Sequence, residues 1–167
     1  MRKIIPFILF TCLLSACSSI DCPLENTVYT VYGLYKSTGK IDTLKNTLTI
    51  STTRMNGTDS ILINKDVKVT SLSVPMSYTQ DADVLYFEIQ KSSSTTIDTV
   101  RVEKTNIPHF ESVDCSASYF HKITNVSSTH HAIDSIVINN PNVTYDKAKQ
   151  TIHIVTGKHT DYQTEQK

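Results

Sequence analysis

The sequence predicts an all-β chain: a single immunoglobulin-like β-sandwich of about 8–10 short, mostly antiparallel strands. Three observations predict it. Apolar and polar residues alternate with period two in many short runs bounded by Gly, Asn, Asp and Ser clusters. Thr, Val, Ile and Tyr dominate those runs, which is strand composition, while Gly is scarce and Trp absent. No stretch of helix length carries a convincing helical period.

The elements follow in order. Residues 28–35 (VYTVYGLY) are apolar on both faces and read as a central strand. Residues 47–51 and 60–63 flank a turn at Asn56-Gly57, a hairpin signal. Residues 67–74 alternate until Pro75 stops them. Residues 84–90 put Leu85, Phe87 and Ile89 on one face, and 97–103 put Val100 and Val102 inward. Residues 133–138 and 151–155 close the set, with 110–113 and 119–123 as two further candidates.

The N-terminus points to export. Met1-Arg2-Lys3 is basic, residues 4–14 are apolar, and Leu14-Ser15-Ala16-Cys17 follows. The apolar run is shorter than the ~20 residues that span a bilayer. Leu-Ser-Ala-Cys resembles the lipobox of bacterial lipoproteins, in which the Cys becomes the acylated first residue. An ordinary cleaved signal and an uncleaved anchor are the competing readings. On the lipobox reading, residues 1–16 are a signal peptide and 17–27 a lipidated tether with the first bridge cysteine. Residues 28–156 form the sandwich, and 157–167 are a polar, flexible tail. Acylated Cys17 then holds the chain in a lipid bilayer. No Asp follows that Cys to direct inner-membrane retention, so the outer membrane is expected, with either leaflet open. Residues 17–21 reach at most ~17 Å, which keeps the domain close to the membrane.

Arg2 and Lys3 leave with the signal, so 14 basic and 16 acidic residues remain, a net of −2. No basic run survives, which disfavours nucleic acid as a partner.

The stretch 109–121 (HFESVDCSASYFH) sets Cys115 midway between two histidines. Cys12 is lost with the signal and Cys17 carries lipid. Cys22 and Cys115 remain, an even pair in a disulfide-permissive compartment, and a Cys22–Cys115 bridge is expected. A Cys115 nucleophile paired with His109 or His121 competes with it, but Glu111 and Asp114 oppose a thiolate there. A zinc site from Cys22, Cys115, His109 and His121 lacks the usual ligand spacing. No metal or other cofactor is expected. His130 and His131 are neighbours, would point to opposite faces of a strand, and suit a loop cap. His153 lies between Ile152 and Ile154, so it faces away from them. There is no Gly-rich phosphate loop, no Gly-x-Ser-x-Gly elbow and no His-Glu-x-x-His. The oxygen-rich turns at 81–83 and 139–142 do not match an EF-hand.

A short echo recurs: Asp42-Thr43-Leu44, Asp59-Ser60-Ile61, Asp98-Thr99-Val100 and Asp134-Ser135-Ile136. One reading is a turn in which Asp bonds its own backbone at the start of a strand. The other is that the tripeptide resembles the O-glycosylation acceptor motif of exported Bacteroidota proteins, with Thr43, Ser60, Thr99 and Ser135 as acceptors.

Thr105-Asn106-Ile107-Pro108-His109-Phe110, Cys115, Phe120-His121 and residues 133–143 (IDSIVINNPNV) together carry a wider likeness. With Val31-Tyr32-Gly33-Leu34-Tyr35 and Leu72-Ser73-Val74-Pro75-Met76, the whole mature chain resembles a family of small Bacteroidota lipoproteins catalogued as domain of unknown function 6452. Members often carry Gly-Cys where this chain has Ser116-Ala117, a departure that favours one simple bridge over local cysteine chemistry. That family has no established activity, so the resemblance implies location and fold but no mechanism. The expected role is a non-enzymatic binding or assembly module whose partner is another envelope protein or a glycan. Tyr29, Tyr32, Tyr35 and Tyr86 are either a sugar-stacking face or core. The alternative role is a hydrolase or metal-binding module using His109 and His121.

Overall fold

The computed structural model describes Cys22 and residues 27–156; Cys17, the signal-like segment and the tail 157–167 lie outside the described residues. Among the described residues ten strands follow in order. They are β1 (Tyr29–Tyr35), β2 (Thr47–Thr53), β3 (Asp59–Asp66), β4 (Ser71–Pro75), β5 (Ala82–Gln90), β6 (Thr95–His109), β7 (Ser118–Ser128), β8 (Ile133–Ile138), β9 (Asn142–Val143) and β10 (Ile152–Thr156). Two sheets pack face to face, one ordered β4-β1-β10-β8 and the other β3-β2-β5-β6-β7-β9. The pairing is antiparallel except between β1 and β10, where the first and last strands run parallel. The chain is the all-β sandwich that its alternation predicts.

That alternation places the core. In β5, Leu85, Phe87 and Ile89 are buried while Tyr86 and Glu88 are half-exposed on the other face. Val100 and Val102 repeat this in β6, and Ile50 of the same sheet and Tyr32 and Ile152 of the facing sheet join them in one core. Full burial of such side chains is worth ~1.5–3 kcal/mol each. Strand β1 is buried on both faces, as its pattern requires. Tyr32 and Leu34 face the core. The other face is covered by the segment leading into β10. Lys147 Nζ lies 3.9 Å over the Tyr29 ring, and Tyr35 donates its hydroxyl proton to Gln150 Oε1. Gly33 permits this cover: a Cβ there would lie 2.2 Å from Gln150 Oε1.

The Asn56-Gly57 turn forms as read, with Gly57 at φ 79° and Asn56 Oδ1 accepting the Thr58 amide proton. Elsewhere the extents differ. Residues 67–70 are not strand, because the chain crosses there between sheets, through left-handed Lys65 and Lys68 at φ 53° and 57°. Residues 110–113 belong to the loop carrying Cys115, and 119–123 lie inside the longer β7. Strand β6 runs to His109 because its ladder with β7 continues after β5 stops pairing at Glu103. Pro108 is tolerated there because β6 has a partner on one side only.

Thr30 is fully buried in the core and its hydroxyl has no hydrogen-bond partner among the described residues. Thr30→Val keeps the shape and removes an unsatisfied polar group, so it should stabilise the fold by about 1 kcal/mol. A thermal melt with no gain over wild type would show that the hydroxyl is satisfied in solution.

Candidate functional site

Four polar side chains face inward at one end of the sandwich: Asp83, Lys104, Asn106 and His121. Strand parity puts them there. Asp83 is in phase with Leu85, Lys104 and Asn106 with Val102, and His121 with Ile123. A bulge between Glu103 and Lys104 leaves Thr124 of β7 without a cross-strand partner and keeps Lys104 opposite Ile123.

Lys104 Nζ lies 2.9 Å from Asp83 Oδ2 with no exposure of the lysine side chain. The approach is close in distance but poorly aligned for hydrogen bonding, so the contact is an ion pair. The Ser77 amide donates a long 3.4 Å hydrogen bond to the same oxygen. Burial raises the Asp83 pKa, and Lys104 and the Ser77 amide only partly offset it. Burial and the nearby Asp83 charge also raise the Tyr32 phenol. A depression of about 220 Å³ opens beside Asp83, rimmed by Arg54, Ser77, Thr79 and Gln80.

His121 is buried and its Nδ1 lies 2.8 Å from Asn106 Oδ1. Asn106 Nδ2 donates to the Gln80 carbonyl, which turns Oδ1 toward the ring and assigns the proton to Nδ1. Burial first, and the Lys104 charge second, push the His121 pKa down to about 4. The ring is therefore neutral near pH 7 and too weak a base for general-base work there.

The depressed pKa has a consequence for stability. Between pH 6.5 and 4 the unfolded histidine takes up a proton that the native one refuses. The contribution of His121 is therefore full above about pH 6.5 and falls as pH drops toward 4, by ~3 kcal/mol at 1.36 kcal/mol per unit. His153, lowered by burial, adds in the same direction, while Asp83, raised by burial, acts against it because its native carboxylate takes up a proton before the unfolded one. Urea unfolding at pH 7 and pH 4.5 should show this slope in wild type and much less of it in His121→Gln. An equal slope in both proteins would overturn the assignment.

His109 stands elsewhere. It stacks on Phe120 at 4.1 Å between centroids, meets the Tyr145 ring edge-on, and holds Nε2 3.0 Å from Glu111 Oε1. Phe120 and His121 are successive strand residues, so the sheet separates His109 from His121. Cys22 and Cys115 are joined by a disulfide with Cα atoms 5.5 Å apart. No group of three or more His, Cys, Asp or Glu is placed to hold a metal among the described residues.

The four tyrosines do not gather on one face. Tyr32 is core, Tyr29 and Tyr35 point to the opposite side of β1, and Tyr86 lies on the other sheet. Of the four hydroxyl residues after Asp, Thr43 is exposed, while Ser60, Thr99 and Ser135 are half-buried. Ser60 Oγ accepts from Arg54. His130 and His131 cap the β7–β8 loop: His130 Nδ1 lies 3.2 Å from the Ile133 carbonyl, and the His131 amide donates to Asp98. His153 turns from the core and packs 4.3 Å from the Tyr35 ring.

The Asp98-Thr99-Val100 tripeptide suggests a local turn, whereas Asp98 anchors a loop 31 to 35 positions away, and no motif marks the Asp83–Lys104 pair. A signal for the latter exists. Extending the alternation of β5 and β6 puts a carboxylate and an ammonium in phase with buried aliphatics, where neither would stay unpaired.

Residues 47–156 match the model of a family described as a family of unknown function, DUF6452. No curated protein and no solved structure matches the chain. The match runs from the first residue of β2 to the last of β10. It takes in Asp83, Asp98, Lys104, Cys115 and His121, and is narrower than the whole-chain likeness, leaving β1 and Cys22 outside. The chain belongs to the family of unknown function DUF6452.

Proposed function

We propose that this chain is a Bacteroidota-type envelope lipoprotein, anchored in the outer membrane through acylated Cys17. Its sandwich acts as a non-enzymatic binding or assembly module for another envelope protein or a glycan. The observation that carries the reading is the Cys22–Cys115 disulfide. Such bonds persist in oxidising compartments outside the cytosol, and this one lies five residues after the lipobox cysteine. The edge strands favour main-chain pairing with a protein partner. Strands β3 and β8 end their sheets and expose Ile61 and Val137. The hydrolase or metal alternative is weakened by the placement of His109 and His121 on opposite sides of one sheet.

Intact mass spectrometry of the natively expressed protein tests the anchor. The expected chain starts at Cys17 and carries acyl chains, and Cys17→Ala releases it from the membrane fraction. A chain that starts elsewhere, or an unmodified Cys17, would overturn the reading. Cross-linking in native membranes then tests the module, since Ile61→Lys on the β3 edge should weaken capture of a pairing partner.

A further inference from the structure

One end of the sandwich gathers exposed apolar side chains on three loops. Val113 is 97% exposed and Met55 79%, and Phe110 and Tyr78 are open as well. The loops are contiguous. Met55 in the β2–β3 turn has its Sδ 3.9 Å from Thr79 Oγ1 in the β4–β5 segment. Tyr78 stacks on Tyr119 at 5.2 Å, and Tyr119 lies just beyond the loop that holds Phe110, Val113 and Cys115. Ile41 and Val67 are exposed at the opposite end, so exposure alone does not choose between the ends.

The tether chooses. Cys22 is bonded to Cys115 in that same loop. Cys22 lies five positions after Cys17, a reach of at most ~17 Å. Strand β6 has 15 residues, which at ~3.3 Å each is about 50 Å. A lipid on Cys17 therefore reaches the end with Phe110 and Val113 but not the opposite one.

We propose that this apolar rim is a membrane-contact face: Met55, Tyr78, Phe110 and Val113 seat in the interfacial layer of the bilayer and hold the sandwich upright on its anchor. The inference rests on the lipid-anchor reading of Cys17. Exposed aliphatic and phenyl groups favour the acyl boundary, and a tyrosine suits the headgroup level. Glu111 and Asp114 flank the two apolar tips, so the surface that fits is zwitterionic rather than anionic.

The chain lacks Trp, so one introduced indole reports its own surroundings. The lipidated mature protein is placed in phosphatidylcholine vesicles carrying brominated acyl chains, as Val113→Trp and, for the far end, Ile41→Trp. Both positions are well exposed, so both variants should fold. Val113→Trp should shift to the blue and lose half or more of its emission to the bromines, while Ile41→Trp keeps a water-like spectrum. A protein that does not float with the vesicles overturns the anchor, and this inference with it. A protein that floats with Val113→Trp unquenched, or with both indoles quenched alike, overturns the contact face alone. A blue shift that grows with protein concentration before vesicles are added would assign the face to a second copy and also overturn it.

Discussion

Replacing Cys22 and Cys115 together with Ala should cost about 4 kcal/mol of stability. The two are 93 residues apart in sequence, and the chain-entropy model gives ~4–5 kcal/mol for closing a loop of that length, less whatever structure the unfolded chain retains. The effect acts chiefly on the unfolded ensemble, because the bridge adds little core: Cys22 is exposed, and Cys115 lies in a loop at the rim. At roughly 3 °C per kcal/mol for a chain of this size, the melting point should fall by about 10–15 °C. Wild type in reductant should match the double variant. Identical urea midpoints with and without reductant would remove the staple from the account. The bridge also fixes Cys22 to the end of the sandwich that carries the 110–117 loop.

The strands that could be read were those whose alternation is amphipathic. In 84–90 every second residue, Leu85, Phe87 and Ile89, is apolar and buried, and in 97–103 Val100 and Val102 are, with the buried Asp98 interrupting the apolar run in the same phase. Their limits could not be read. Beyond Glu103, β6 continues through Lys104, Thr105, Asn106 and Pro108, a polar stretch held by backbone pairing to β7, and pairing of that kind leaves no hydrophobic trace. The cysteine pair was legible by parity, since only two mature thiols remain unlipidated on the lipobox reading. His109 and His121 were equally prominent in the sequence, and only the one-residue offset between Phe120 and His121 shows that they cannot meet. The Asp–hydroxyl–aliphatic echo misleads in a different way. Asp42 accepts from Thr156, Asp59 from Thr53, and Asp98 from a loop 31 to 35 positions away. These tripeptides share a spelling and not an environment: Asp42 also accepts from the amide of its own neighbour Thr43, as the turn reading expects, and Asp59 pairs within its hairpin, while Thr156 on Asp42 and the loop on Asp98 come from segments far along the chain.

Asp98→Ala should destabilise the protein by about 4 kcal/mol, nearly as much as losing the disulfide. The carboxylate is fully buried and all its partners are donors. Oδ1 accepts from Thr129 Oγ1 at 2.9 Å and the His131 amide at 2.6 Å, and Oδ2 from the amides of Ala132 at 2.6 Å and Ile133 at 2.9 Å. Three successive amides converge on one anion, which locks the turn that carries the chain from β7 in one sheet to β8 in the other. Alanine strands those donors, and each unsatisfied buried group costs ~1–3 kcal/mol, only partly relieved by water at the rim. Asp98→Asn should cost less, since it keeps one acceptor but turns an amide NH₂ against backbone donors. The charge leaves a pH signature. Burial raises the Asp98 pKa, but the three amides and the hydroxyl outweigh burial and hold it below the ordinary carboxylate range. The stabilisation is therefore complete above the unfolded value near pH 4 and is lost as pH falls through the lower native value. That window lies below the one set by His121, so the two titrations separate. Wild type should lose stability from pH 4 downward and Asp98→Asn should lose less, while the variant keeps the full slope between pH 6.5 and 4. Hydrogen exchange supplies the local check: the amides of residues 131–133 should be protected in wild type and exchange freely in Asp98→Ala. Protection that survives the substitution would mean that backbone pairing at the start of β8, rather than this carboxylate, holds the crossover.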